Sequence, residues 1–159
     1  MQKRIFITGA SSGIGRATAQ LLVRQGHEVW GTRGDLARLP QLAHFHPVRL
    51  DVTHISSIDQ AWDGALGEAG FFDVVINNAG AGHFHPAELL AREVVLGQFE
   101  LLVFGPIHLS QRALASMQAE GRGLRINLTS LASRLPVPFT PAYNAAKAAP
   151  ASFTMTLQH

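Results

Sequence analysis

The sequence has no cysteine among its 159 residues, which excludes disulfides, thiolate metal sites and a cysteine nucleophile and suits a cytoplasmic protein. Charge is sparse: 15% of residues are charged against 47% hydrophobic, a globular balance and not a disordered one. Basic runs are missing too. Scattered Lys and Arg number 13 against 11 acids, a formal net charge of +2. The pI of 9.7 therefore reflects how little else titrates between neutrality and about pH 10, and nucleic acid is not an expected partner. No apolar stretch approaches the ~20 residues that cross a bilayer, and the run after Lys3 and Arg4 is too short for a signal peptide. No membrane partner is expected.

What the sequence does have is alternation. Arg4–Thr8 reads as a buried strand, and Gly13–Gln25 as a helix with Ile14, Ala17, Leu21 and Leu22 at helical spacing, ended by Gly26. Further strand patterns lie at Glu28–Thr32, Pro47–Asp51, Phe72–Ile76 and Leu124–Leu128. Helical patterns lie at Ile55–Ala69, at Glu88–Glu120 (one long or broken region) and at Pro141–Gln158. Such alternation predicts an α/β fold, a doubly wound parallel sheet between two helical layers. No repeat or linker interrupts it, and the length fits one domain over residues 1–159.

Between the first strand and first helix stands Thr8-Gly9-Ala10-Ser11-Ser12-Gly13-Ile14-Gly15. Glycines there let the backbone approach a pyrophosphate, and the helix amino terminus offers free N–H groups at the positive end of its dipole. The hydroxyls of Ser11 and Ser12 add donors. Taken alone, the cluster also fits a plain structural turn. Asp51-Val52 follows the third strand, and Asn77-Asn78-Ala79-Gly80 the fourth.

In these motifs the chain closely resembles the short-chain dehydrogenases/reductases. The resemblance implies a Rossmann-type dinucleotide-binding fold. It assigns Gly9, Ser11, Ser12, Gly13, Ile14 and Gly15 to the phosphates, Asp51 and Val52 to the adenine, and Asn78, Ala79 and Gly80 to the cofactor's border. Which dinucleotide is bound turns on the end of the second strand, where a carboxylate takes the 2′-hydroxyl of NAD and an arginine the 2′-phosphate of NADP. Arg33 occupies that place, which favours NADP(H) over NAD(H). Asp35 reaches the ribose instead if the turn is two residues tighter.

Tyr143 and Lys147, at the start of the last helix behind Thr140 as cap and Pro141, are four apart and share one helix face. A cation there favours negative charge on the phenolic oxygen, which suits the tyrosine to proton transfer. Ser130 lies thirteen residues before the tyrosine, the relation that the family's catalytic serine has, with a hydroxyl to polarise a substrate oxygen. Ser130, Tyr143 and Lys147 are the expected catalytic residues, with Tyr143 and Lys147 also meeting the cofactor. The implied reaction is hydride transfer between a nicotinamide and a small-molecule carbonyl or alcohol.

The resemblance has three breaks. Leu102 stands where the family has a catalytic asparagine, three residues before Gly105. Pro106 has no N–H, so the carbonyl of residue 102 loses its helical partner and is expected to keep the family's water-mediated contact to the lysine. Pro150 falls inside the last helix and predicts a bend or early end beside Ala146. The sequence stops at His159, whereas the family continues through further strands, so the expected sheet lacks the usual carboxyl-terminal ones. A dinucleotide-binding or interaction module with little catalysis is therefore the alternative. His83 and His85 have no Cys, Asp or Glu partner at ligand spacing apart from the more distant Glu88, so a loop at the pocket rim is expected and no metal. The apolar Val94–Met117 region predicts deep burial or a homo-oligomer.

Overall fold

Successive strand residues face opposite sides of a sheet, and the core is sorted by that rule. A computed structural model of the protein describes residues 1–156. In β1 (Arg4–Ile7), Phe6 enters one apolar cluster while Ile5 and Ile7 enter another. In β2 (Glu28–Arg33) the same split separates Trp30 from Val29, and in β4 (Val74–Asn77) it separates Val75 from Ile76. Parallel register sets Phe6 beside Trp30 and Val75, so the first cluster is continuous across three strands. Its aromatic centre packs edge to face, with ring centroids 5.4 Å apart for Phe6 and Phe72 and 5.6 Å for Phe6 and Trp62.

With β3 (Phe45–Arg49) and β5 (Leu124–Asn127), the strands form one parallel sheet ordered β3-β2-β1-β4-β5. Helices α2 (Ile55–Ala69) and α4 (Gly105–Ala119) cover the Phe6 face through Ile58, Trp62 and Leu109. Helix α1 (Gly13–Arg24) covers the other face through Ala19, Leu22 and Val23. The result is the three-layer αβα sheet of the Rossmann type. Strand order turns back between β1 and β4, which opens a crevice at the carboxyl ends of those strands. Among the described residues no helix is long and apolar enough to cross a membrane.

Several boundaries differ from expectation by a residue or two, β4 for example starting at Val74 and not Phe72, and two of the differences have a clear cause. The third strand begins at Phe45, two residues before Pro47, because Phe45 fills the space beside Gly31, where an added Cβ would lie 2.3 Å from its ring. Pro47 sits mid-strand without penalty, since β3 is an edge strand and one of its sides needs no ladder partner. The final helix α5 (Pro141–Met155) does not end at Pro150. It loses only the one bond that a non-proline N–H would make at position 150, and the buried proline joins Ala142, Ala146 and Lys147 on the packed side of the helix. Gln158, the expected end of this helix, lies outside the described residues.

The long central region is broken, as its composition allowed. Helix α3 (Arg92–Phe99) runs into a π-helical turn at Glu100–Phe104 and then into α4. The N–H of Gly105 reaches back five residues to the carbonyl of Glu100. This wider register falls directly before Pro106, whose missing N–H spoils the α-helical bond there.

Candidate active site

The turn after β1 is shaped by two glycines. Gly9 has φ +71°, a conformation that favours glycine, and an added Cβ on Gly15 would lie 2.2 Å from the Gly9 carbonyl oxygen. The loop is pinned from the β4 side. Asn78 Nδ2 donates to the carbonyls of Thr8 (2.8 Å) and Gly9 (3.2 Å), while Thr8 Oγ1 accepts from the N–H groups of Asn78 and Ala79 at 3.0 and 2.9 Å. Thr8 is a buried brace beneath the site that the motif alone did not single out. Asn77 completes the brace by donating from Nδ2 to Asn127 Oδ1 at 2.8 Å, tying β4 to β5.

Above this brace, α1 presents its amino terminus to open space. Its first intrahelical bond runs from Arg16 N–H to the Ser12 carbonyl, Ser12 makes no side-chain cap, and the first turn holds no acid. The N–H groups of Gly13, Ile14 and Gly15 are thus left for an external anion. Arg33, the last residue of β2, donates from its guanidinium to Ser11 Oγ and closes the turn from the side. Asp35 borders the same open space, and its Oδ1 accepts the N–H of Ala37 at 3.1 Å and caps a short 3₁₀ turn at Leu36–Arg38. Arg49 pairs with Arg33 across β2 and β3 and lines a hollow beside Asp35. No sequence motif marked it.

A cavity of about 890 Å³ joins these elements. It brings together Gly9, Ser11, Ser12, Gly13, Ile14, Gly15, Arg33, Asp51, Val52, Asn78, Ala79, Gly80, Tyr143 and Lys147. Asp51 borders it with a carboxylate held below its usual range, first by the Thr53 hydroxyl at 2.7 Å and then by the Thr53 N–H. Lys147 is 8% exposed and donates from Nζ to the Leu128 carbonyl at 2.9 Å. Burial lowers its pKa below that of an ordinary lysine. Its Nζ lies 6.0 Å from the centre of the Tyr143 ring. Thr140 begins α5 in position but not through its side chain, since its hydroxyl donates to the Val137 carbonyl instead.

Ser130 is not among the residues lining the cavity; Leu128 and Thr129 are. Its Oγ accepts the Ala132 N–H at 3.2 Å and caps a 3₁₀ turn at Leu131–Ser133, which leaves the hydroxyl hydrogen free to donate. Leu102 is 2% exposed and packs with Val103 and Ala146, against Gly80. His83 and His85 lie on a loop tied by the His85 N–H to the Phe139 carbonyl at 2.8 Å.

The family model for short chain dehydrogenases matches residues 3–159. The chain belongs to the short-chain dehydrogenase family. A 3-ketodihydrosphingosine reductase of Bacteroides thetaiotaomicron is 37% identical over 155 residues, covering 96% of this chain and 56% of that protein. Among solved structures, a short-chain dehydrogenase from Streptomyces avermitilis superposes with a TM-score of 0.95 at 34% identity, covering 99% of this chain and 60% of that one. A 3-ketoacyl-(acyl-carrier-protein) reductase from Brucella melitensis, complexed with NADH, gives 0.92 at 28% identity over 98% of this chain and 68% of its own. The chain thus spans a little over half the length of the reductase and dehydrogenase it matches at 37% and 34% identity. Its relatives are oxidoreductases, and the family uses a nicotinamide cofactor.

Proposed function

We propose that this protein is an NADP(H)-dependent oxidoreductase that interconverts a small-molecule carbonyl and its alcohol, with Tyr143 as the general acid and base. One observation carries the reading: the open amino terminus of α1, Arg33 on Ser11, and the Tyr143–Lys147 pair border one continuous cavity. The residues fit a dinucleotide. Three unpaired N–H groups and two serine hydroxyls suit a pyrophosphate, and the close seat of Gly9 on Gly15 leaves room where side chains would stand. A bound nicotinamide would supply or accept the hydride.

The chain's own residues do the rest. Gly13, Ile14 and Gly15 donate to the phosphates, with Ser11 and Ser12 beside them. Asp51 and Val52 border the adenine, and Asn78, Ala79 and Gly80 form the floor toward the nicotinamide. Arg33 faces the 2′-phosphate, with Arg49 as a second cation, while Asp35, which also borders the cavity, has one carboxylate oxygen committed to the Ala37 N–H. Lys147 has donors beyond its bond to Leu128, which suit ribose hydroxyls, and its charge stabilises the phenolate of Tyr143. Ser130 keeps one hydroxyl hydrogen for the substrate oxygen.

Single-turnover reduction of simple aldehydes and ketones with NADPH tests the reading, with Tyr143→Phe expected to lose at least about 10²-fold in kcat. A second reading, cofactor binding without useful turnover, is favoured by the apolar packing of Leu102 and by the position of Ser130 off the cavity. NADPH binding with no turnover on any carbonyl would select it. We further assign the partly exposed Leu96 and Phe104 to a contact between copies in a homo-oligomer, which sedimentation of wild type against Phe104→Asp checks.

A further inference from the structure

Helix α3 buries a single residue, and that residue is an amide. Gln98 is 2% exposed. Burying an amide costs free energy unless its polar atoms are paired, yet only one of them is. Nε2 donates to the Ala81 carbonyl at 3.1 Å, whereas Oε1 has no partner among the described residues. An apolar side chain would be the simpler filling. Departures of this kind from packing rules concentrate where a fold performs its function.

What the amide holds is the strip between the two helices of the site. Gly80 and Gly82 flank Ala81, and both are closely packed against side chains of the site. A Cβ on Gly80 would lie 2.9 Å from Leu102 Cδ2 and 3.6 Å from Lys147 Nζ. A Cβ on Gly82 would lie 3.2 and 3.4 Å from Cδ2 and Cε2 of Tyr143. The Tyr143 ring thus rests on the backbone of residue 82, and the residue before it is fastened to α3 by Gln98. We propose that Gln98 is a positioning residue: through the Ala81 carbonyl it fixes the height of the strip on which the Tyr143 ring lies, and so sets where the phenol stands in the cavity. The assignment rests on the acid–base role proposed for Tyr143. It also gives the site a polar fastening on the helix where Leu102 supplies none, one turn away.

Tyr143 is the only tyrosine in the chain, so ring-labelled tyrosine gives a nuclear magnetic resonance signal from this side chain alone, whether or not the protein turns over. Gln98→Met keeps the bulk and removes the donor. Gln98→Glu donates only while its carboxyl is protonated, so one polypeptide reports both states. Expected for Gln98→Met are displaced Tyr143 ring signals and a kcat lower by about tenfold or more, since an ångström of misplacement costs up to about 10²-fold. NADPH affinity should stay within about twofold. Gln98→Glu should match it at high pH and return toward wild type as pH falls. Three results overturn the assignment: ring signals unmoved in both variants, no return for Gln98→Glu at low pH, or an NADPH affinity that falls by the same factor as kcat. If wild type reduces no carbonyl at all, the proposed activity fails while the ring signals still decide the positioning role.

Discussion

The guanidinium of Arg33 donates to the hydroxyl of Ser11 and so fastens the end of β2 to the glycine turn. A ligand phosphate at the ribose 2′ position would meet a cation whose orientation is already fixed. Arg33→Leu should weaken NADPH binding by roughly 10- to 100-fold, the effect of about 1.5–3 kcal/mol for a hydrogen bond to a charged group. NADH binding should change by less than about twofold. Calorimetric titration with both cofactors checks it, and equal losses would remove Arg33 as the discriminating residue.

Lys147 should destabilise the cofactor-free fold. Desolvation lowers its pKa below the ordinary 10.5, so the unfolded chain holds this proton more tightly than the folded one. Stability must then rise with pH across the interval between the lowered value and 10.5. Lys147→Met should flatten that rise and stabilise the cofactor-free protein near neutrality by on the order of 1 kcal/mol, while abolishing turnover. Urea unfolding from pH 7 upward measures it. A loss of stability would show that the bond to Leu128 outweighs the burial cost.

At the opposite end of the sheet, Glu28 accepts from His46 and His44 at 2.8 and 2.7 Å, and these bonds hold its carboxyl below the usual 4.5. Its contribution is complete above the unfolded value and is lost as pH falls through the lowered one. Glu28→Gln should therefore lower Tm above about pH 5 and converge with wild type in stronger acid. The partly exposed setting limits the difference to about 1 kcal/mol. Thermal scans from pH 3 to about 7 report it; parallel curves would mean that the cluster contributes nothing through charge.

Leu102→Asn places an amide in an apolar cluster and should cost about 1–3 kcal/mol of stability by denaturant unfolding. If the family's amide assists proton transfer, the same variant should gain kcat severalfold. Unchanged turnover removes the reason to give residue 102 any part in that transfer.

The alternation of strand and helix was readable because periodicity is local, but the face of α1 was not: of Ile14, Ala17, Leu21 and Leu22 only Leu22 packs on the core, beside Ala19, and Ile14 and Leu21 are exposed. The glycine turn, Asn78 and the Tyr143–Lys147 pair were readable because their spacing carries the geometry. What escaped depends on distant partners. Phe45 starts β3 because of Gly31, fourteen positions earlier in the chain, and Pro47 is tolerated because β3 ends up at an edge. Nothing in the motif indicated that Asp35 would cap the turn after β2. Ser130 had the expected spacing, yet its hydroxyl also caps the turn that follows it. Nothing in the sequence singled out Gln98; its place depends on the Ala81 carbonyl, seventeen positions earlier in the chain.

The reversal of strand order between β1 and β4 also sorts the residues by task along the chain. Those assigned to adenosine and phosphates fall between Gly9 and Val52, at the end of β2 and on the turns after β1 and β3; those assigned to the nicotinamide side and to proton transfer fall between Asn78 and Lys147. The two stretches meet in the core, where Trp30, Leu50 and Val52 share a cluster with Leu109, Ala113 and Met117, and at the site through the Asn78 side chain on the Gly9 carbonyl. Under the proposed assignments, cofactor choice and carbonyl chemistry fall to different stretches of the chain. Exchanging the loop after β2 should retune one and leave the other standing, provided that the Asn78 clasp is kept.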